Sequence, residues 1–284
     1  MNRMALSVEA VRAAAQLRTQ FEIGPAESVC PYDLAIKLKI KVFFNSAPSL
    51  EGMYSPGPTP AIILNSERPT GRRTFTCGHE IGHHVFAHGY RIDELNEDNS
   101  SAGSPEEFLA QRFSSALLMP KIAVDSAFAR RGWSPAAVQP NQFYIVAREL
   151  GVAFSALVAN LEVNLREISN GQAEGLRRCS LPKIKESLAG MIVAGDVFQI
   201  DRHWLRPTID VEVGDRIIVP EGSHIESSCA IRDSENGRHF IAKASGITKV
   251  NFEASSHQLT LRISKREFNG LARYRHLEDS SDDE

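Results

Sequence analysis

The sequence is short of paired cysteines, of long apolar runs and of net charge. Its four cysteines, Cys30, Cys77, Cys179 and Cys229, are scattered along 284 residues, and none belongs to a C-x-x-C pair. That density does not build a disulfide framework, and it fits a reducing compartment. No stretch approaches the ~20 apolar residues of a membrane-spanning helix. The opening, MNRMALSVEAVRAAAQ, has one early arginine and no apolar run of signal-peptide length, so a cytoplasmic protein that does not enter a membrane is expected. A formal net charge of −3 supplies no global basic field to draw the chain to nucleic acid. No internal repeat stands out.

What is there is ordinary globular material: 42% hydrophobic and 24% charged residues, enough to bury a sizeable core, over a length that suits two or three domains. The N-terminal segment reads as an amphipathic helix with Val8, Val11, Ala15 and Leu17 on one side. Residues 31–40 start with Pro31 and place Leu34 and Leu38 four apart, which suits a short helix. KVFFN (41–45), a short EGMY run and AIILN (61–65) read as three strands of a small sheet. Residues 71–89 read as a helix ended by Gly89; Gly78 and Gly82 weaken it by about 1 kcal/mol each, which implies something packed closely on that face. Residues 91–103 are polar and acidic and read as an exposed loop. In 104–120, Ser104 as N-cap, Pro105 at the first helical position and Glu107 three residues after the cap form a helix start, and Pro120 ends the run. Residues 121–170 read as all-helical, with a break near Gly151-Val152-Ala153-Phe154 that gives a helix–turn–helix layout. Polar, glycine-containing 171–189 reads as a linker. From 190 to 276 short apolar runs alternate with Gly, Pro, Asp and Asn, an all-β texture, and 277–284 is an acidic tail. Carboxylates between Asp210 and Asp215 read as strand and turn residues.

The strongest chemical signal is His79-Glu80-Ile81-Gly82-His83. Residues four apart on a helix lie one turn above each other, so the two imidazoles can bind one metal, and neutral imidazole nitrogens suit Zn²⁺. Glu80, beside the first histidine, is placed to act as general base without ligating the metal. A chance HExxH in a chain of this composition has a probability of roughly one in a hundred. A catalytic zinc needs a third protein ligand. The metzincin extension is excluded, because Phe86 and Gly89 stand where its glycine and third histidine would be. Glu106 and Glu107 on the next helix are the candidates, and spacing does not choose between them. His84 reads as structural or solvated and His88 as an exposed or cleft-lining group. Tyr54, Tyr90 and His88 are unranked candidates for stabilising the transition state. Cys77, two residues before His79, turns away from the metal face and reads as a packed thiol.

TFTCGHEIGHHVFAHG (74–89) followed by EEFLAQRFSSALLMP (106–120) resembles the ImmA/IrrE family of bacterial metallopeptidases. That family shows a strand before the HExxH helix and then a helix of the form E-x-x-A-N-x-F-A-A-x-L-L-M-P. Glu107, Ala110, Phe113, Leu117, Leu118, Met119 and Pro120 match; Gln111 replaces the usual Asn, and Ser114-Ser115 the usual alanines. The resemblance spans about residues 10–160. It implies His79, His83 and Glu107 as zinc ligands and Glu80 as catalytic base. It also implies a specific protein substrate, a helix-turn-helix repressor, cleaved in a stress, mobile-element or toxin–antitoxin response. The fold expected is α+β: a zincin-like metallopeptidase core (1–120), a helical helix-turn-helix-like segment (121–170), a linker (171–189), a C-terminal all-β domain (190–276) and the tail. The alternative is a DNA-binding or ligand-sensing regulator with a vestigial metal site. Against direct nucleic-acid binding, the second helix of the pair, 154–163, has no Lys or Arg with which to reach bases or phosphates.

Overall fold

A computed structural model describes residues 2–94, 104–137, 139–205, 207–225, 229–232, 237–252 and 258–277. Nine helices lie among them: α1 (Arg3–Gln20), α2 (Pro31–Lys37), α3 (Thr70–Val85), α4 (Pro105–Leu118), α5 (Lys121–Ala129), α6 (Pro140–Leu150), α7 (Phe154–Ala159), α8 (Asn170–Arg177) and α9 (Leu181–Ala189). The strands are β1 (Lys41–Asn45), β2 (Leu50–Ser55), β3 (Ala61–Asn65), β4 (Arg91–Glu94), β5 (Val197–Gln199), β6 (Thr208–Glu212), β7 (Arg216–Ile218), β8 (Ser223–Ile225), β9 (Ala230–Arg232), β10 (His239–Ala242), β11 (Gly246–Phe252), β12 (Gln258–Ser264) and β13 (Gly270–Leu271). The class is mixed helix and sheet.

The first sheet has the order β13-β1-β3-β2-β4. β1 runs parallel to β3, and β2 is antiparallel to both β3 and β4. Alternation sets the inner face: Val42 and Phe44, Ile62 and Leu64, Gly52 and Tyr54 are buried. Two of the five strands were not visible in the sequence. β4 lies in the stretch read as a loop, whose remainder, 95–103, is outside the described residues. β13 comes from the far end of the chain and pairs antiparallel with β1, Phe43 opposite Leu271.

α3 lies on this sheet and α4 packs on α3. The two glycines make that packing close: a Cβ at Gly78 would sit 2.6 Å from Ser114 Oγ, and one at Gly82 3.0 Å from Ala110 Cα. α1 covers α4, with a face the sequence reading misassigned. Leu6, Ala10, Ala14 and Leu17 are buried, whereas Val8 and Val11 are 54% and 41% exposed and Ala15 is exposed. Alanine offers little area but lets two helices approach closely, and that approach outweighs the larger valines. α6 and α7 meet at 100° across Gly151, which takes the left-handed conformation (φ 73°) at the helix end. α7 turns Phe154, Leu157 and Val158 inward, and Leu161 of the π-helical turn that follows (Asn160–Asn164) is buried beside them. Among the described residues no single helix is long and apolar enough to cross a membrane.

Residues 171–189, read as a linker, form helices α8 and α9. Ser169 and Gln172 make a capping box for α8, and Pro182 sits in the first turn of α9. Ala173, Leu176, Ile184 and Ala189 are buried, an apolar stripe that the surrounding polar residues and glycines obscured. Beyond α9 lie two four-stranded sheets, β5-β7-β10-β9 and β6-β12-β11-β8. They share an apolar cluster that includes Phe198, Trp204, Ile217, Phe240, Leu259 and Leu261. The acidic stretch 278–284 lies outside the described residues.

Candidate metal centre

α3 carries His79 and His83 one turn apart, and both are buried. Their Nε2 atoms are 2.9 Å apart, and the rings stand edge to face. α4 supplies the third group. Glu107 Oε2 is 3.1 Å from His79 Nε2, and Oε1 is 3.4 Å from His83 Nε2. One donor atom from each of His79, His83 and Glu107 lies within 4.8 Å of the others, a group able to hold a metal ion. Glu106, the other candidate, is not part of that group.

The helix start explains how Glu107 is presented. Ser104 Oγ accepts the hydrogen bond of Glu107 N–H at 3.1 Å, but the Glu107 side chain turns to the imidazoles. The cap therefore fixes the backbone and leaves the carboxylate for the site. Burial works to raise the Glu107 carboxyl, yet the hydrogen bonds and charges of His79 and His83 outweigh it and hold the group well below the usual carboxylate range.

Glu80 is fully buried on the adjacent face of α3, against β2. A Cβ at Gly52 would come within 2.5 Å of both Glu80 Oε1 and Thr76 Cγ2. Gly52 is a functional position without a chemical motif of its own; a glycine within a strand run is the signal that something approaches closely there. One turn on, His84 meets the same strand. Tyr54 Oη lies 2.8 Å from His84 Nδ1, and burial lowers the imidazole's pKa and raises the phenol's. Tyr90 is exposed and donates to Met53 Sδ at 3.1 Å. His88 is not an isolated surface group: its Nδ1 lies 2.9 Å from His83 Nδ1. Burial first, then the neighbouring His83 and Arg91, push its pKa down to about 4 against the pull of Glu106 and Glu107. Cys77 is buried in the apolar core, where burial pushes its thiol well up.

Elsewhere the carboxylates of 210–215 serve as strand and turn residues. Asp210 binds Arg262 and Arg275, Glu212 pairs with Arg73, and Asp215 accepts the backbone N–H groups of Asp196 and Glu212.

Two imidazoles and one carboxylate that could hold a metal ion thus stand beside a second buried carboxylate, one residue from the first imidazole. Residues 35–162 match the IrrE N-terminal-like domain of the peptidase M78 family. No curated protein shows significant similarity to the chain. Over residues 35–162 the chain is similar to the ImmA/IrrE metallopeptidases, which supports a peptidase.

Proposed function

We propose that the protein is a zinc-dependent endopeptidase of the cytoplasm. Residues 1–120 form its zincin-like catalytic core, 121–170 a helix-turn-helix-like segment, and 190–276 a β-rich accessory domain. Its substrate is one peptide bond in a specific regulatory protein, a helix-turn-helix repressor, cleaved in a stress, mobile-element or toxin–antitoxin response. His79, His83 and Glu107 hold the zinc, and Glu80 is the general base.

The observation that carries this reading is the convergence of three donor atoms from α3 and α4 on one point. Tetrahedral zinc with bonds of about 2.05 Å needs donors roughly 3.3 Å apart. The separations here are 2.9, 3.1 and 3.4 Å, and two imidazoles with one carboxylate are a common zinc donor set. A bound zinc supplies Lewis acidity, polarising the scissile carbonyl and lowering the pKa of water to about 7. Glu80 accepts the proton of the attacking water and returns it to the leaving amine. The absence of a side chain at Gly52 leaves the room that this carboxylate occupies.

The test is co-expression with helix-turn-helix repressors encoded nearby, with cleavage scored by mass spectrometry. Glu80→Gln should retain stoichiometric zinc and lose cleavage. A Glu80→Gln protein that still cuts would remove Glu80 from the mechanism, and a wild-type protein purified without metal would remove the zinc.

A further inference from the structure

The C-terminal end of α3 folds one histidine back onto another. Phe86 caps the helix, and Ala87 takes the left-handed conformation at φ 53°. Ala87 N–H donates to His84 O at 3.2 Å, and His88 N–H donates to His83 O at 3.0 Å. This pair of bonds is the Schellman motif, which brings the side chain of the last residue over the one five positions earlier. The contact so formed is usually apolar. Here it joins two imidazoles, with Nδ1 of His88 2.9 Å from Nδ1 of His83 and ring centroids 5.0 Å apart. Phe86 stacks on the His88 ring at 5.6 Å and 20°, which restrains its rotation.

Two nitrogens at that distance share one proton. A neutral imidazole carries one N–H and one lone pair, so the partner of Nδ1 decides whether Nε2 is free to ligate. His83 Nε2 points to His79 Nε2 and Glu107, so its lone pair is the one the metal centre needs.

We propose that His88 is a positioning residue: its Nδ1 accepts the hydrogen bond of His83 Nδ1–H and so holds His83 in the tautomer whose Nε2 lone pair faces the metal centre. The role is the one that a carboxylate or a backbone carbonyl plays behind many metal-bound histidines. It rests on the metal-site reading above. It also gives the left-handed alanine a purpose, since the turn at Ala87 is what returns His88 to the helix.

Two substitutions separate hydrogen bonding from packing. Asparagine puts Oδ1 where the imidazole has Nδ1 and can accept the same bond; phenylalanine keeps a ring against Phe86 and accepts nothing. Zinc affinity of the full-length protein is measured by competition with a chromogenic chelator. Long-range proton–nitrogen spectra of the metal-free protein report the His83 tautomer. His88→Phe should weaken zinc binding about 10–100-fold, whereas His88→Asn should stay within about threefold of wild type. Metal-free wild type and His88→Asn should show His83 protonated at Nδ1. Phenylalanine binding zinc as tightly as wild type, both variants weakening equally, or His83 protonated at Nε2 in the wild type would each overturn the proposal. If the wild type binds no zinc at all, the metal-site reading fails, and the spectra still decide the pairing of His83 with His88.

Discussion

Glu80 owes its position to a missing side chain. Gly52 is the point where β2 passes under the buried carboxylate, and the space a methyl group would fill is already taken by Glu80 Oε1 and Thr76 Cγ2. His84, one turn further on, is held by Tyr54, two residues along the same strand and therefore on the same face. β2 thus receives Glu80 with a glycine and His84 with a tyrosine hydroxyl. Gly52→Ala should displace the carboxylate by about an ångström and lower the cleavage rate about a hundredfold. Zinc content should stay at the wild-type level, because the atoms nearest a Cβ at Gly52 belong to Glu80 and Thr76 and not to His79, His83 or Glu107. Rate and bound metal, measured on the same preparation, check this. An alanine variant that cleaves at full speed would show that the carboxylate does not depend on that space.

The helix pair α3–α4 brings the ligands together, and its closeness comes from Gly78 and Gly82. Glycine costs a helix about 1 kcal/mol relative to alanine at each position, so the cost is offset by the approach it allows. Gly78 faces Ser114, whose Oγ donates to Phe75 O at 2.8 Å. Gly78→Ala should gain helix propensity yet lose more to overpacking against that hydroxyl, for a net destabilisation of about 1 kcal/mol. In a Ser114→Ala background the clash with Oγ is gone, and the same change should be neutral or stabilising by up to about 1 kcal/mol. Denaturant midpoints of the four proteins test the coupling. Equal destabilisation in both backgrounds would mean that Ser114 is not what Gly78 makes room for. Residues 114–115 are also where the family form has alanines, so the serine hydroxyl is a local variation on the same packing.

At the scale of the molecule, the β region past α9 is bound to the peptidase domain by chain topology and by buried charge. β13 extends the first sheet, and its neighbour Ala272 belongs to the main core. Asp210 on β6 receives Arg262 at 2.8 and 2.9 Å and Arg275 at 2.7 Å, while Arg262 also reaches Asp33 on α2 at 2.9 Å. Further along, Tyr144 and Arg148 of α6 bind Asp196, and Arg131 binds Asp201. Removing Asp210 would leave two guanidiniums in a largely buried place without their shared anion. Asp210→Ala should therefore cost about 3–5 kcal/mol of unfolding free energy. Urea denaturation followed by circular dichroism measures it, and a loss under about 1 kcal/mol would show that the cluster is not what ties the β region to α2.

Local patterns in the sequence determined the strands at 41–45 and 61–65, the capped start of α4, the break at Gly151 and the pairing of His79 with His83. Each depends on spacing within one or two turns or on a few consecutive residues, and hydrogen bonding and side-chain periodicity act over that range. Tertiary structure decided which carboxylate of Glu106 and Glu107 meets the imidazoles, which face of α1 is buried, and that Ala173, Leu176, Ile184 and Ala189 of α8 and α9 join the main core. It also decided that β13 returns to β1, that Gly52 faces Glu80 and that His88 backs His83. Those outcomes depend on how closely two surfaces can approach and on what already occupies the space between them. Neither quantity is written in the periodicity of one segment, because the partner surface is encoded elsewhere in the chain.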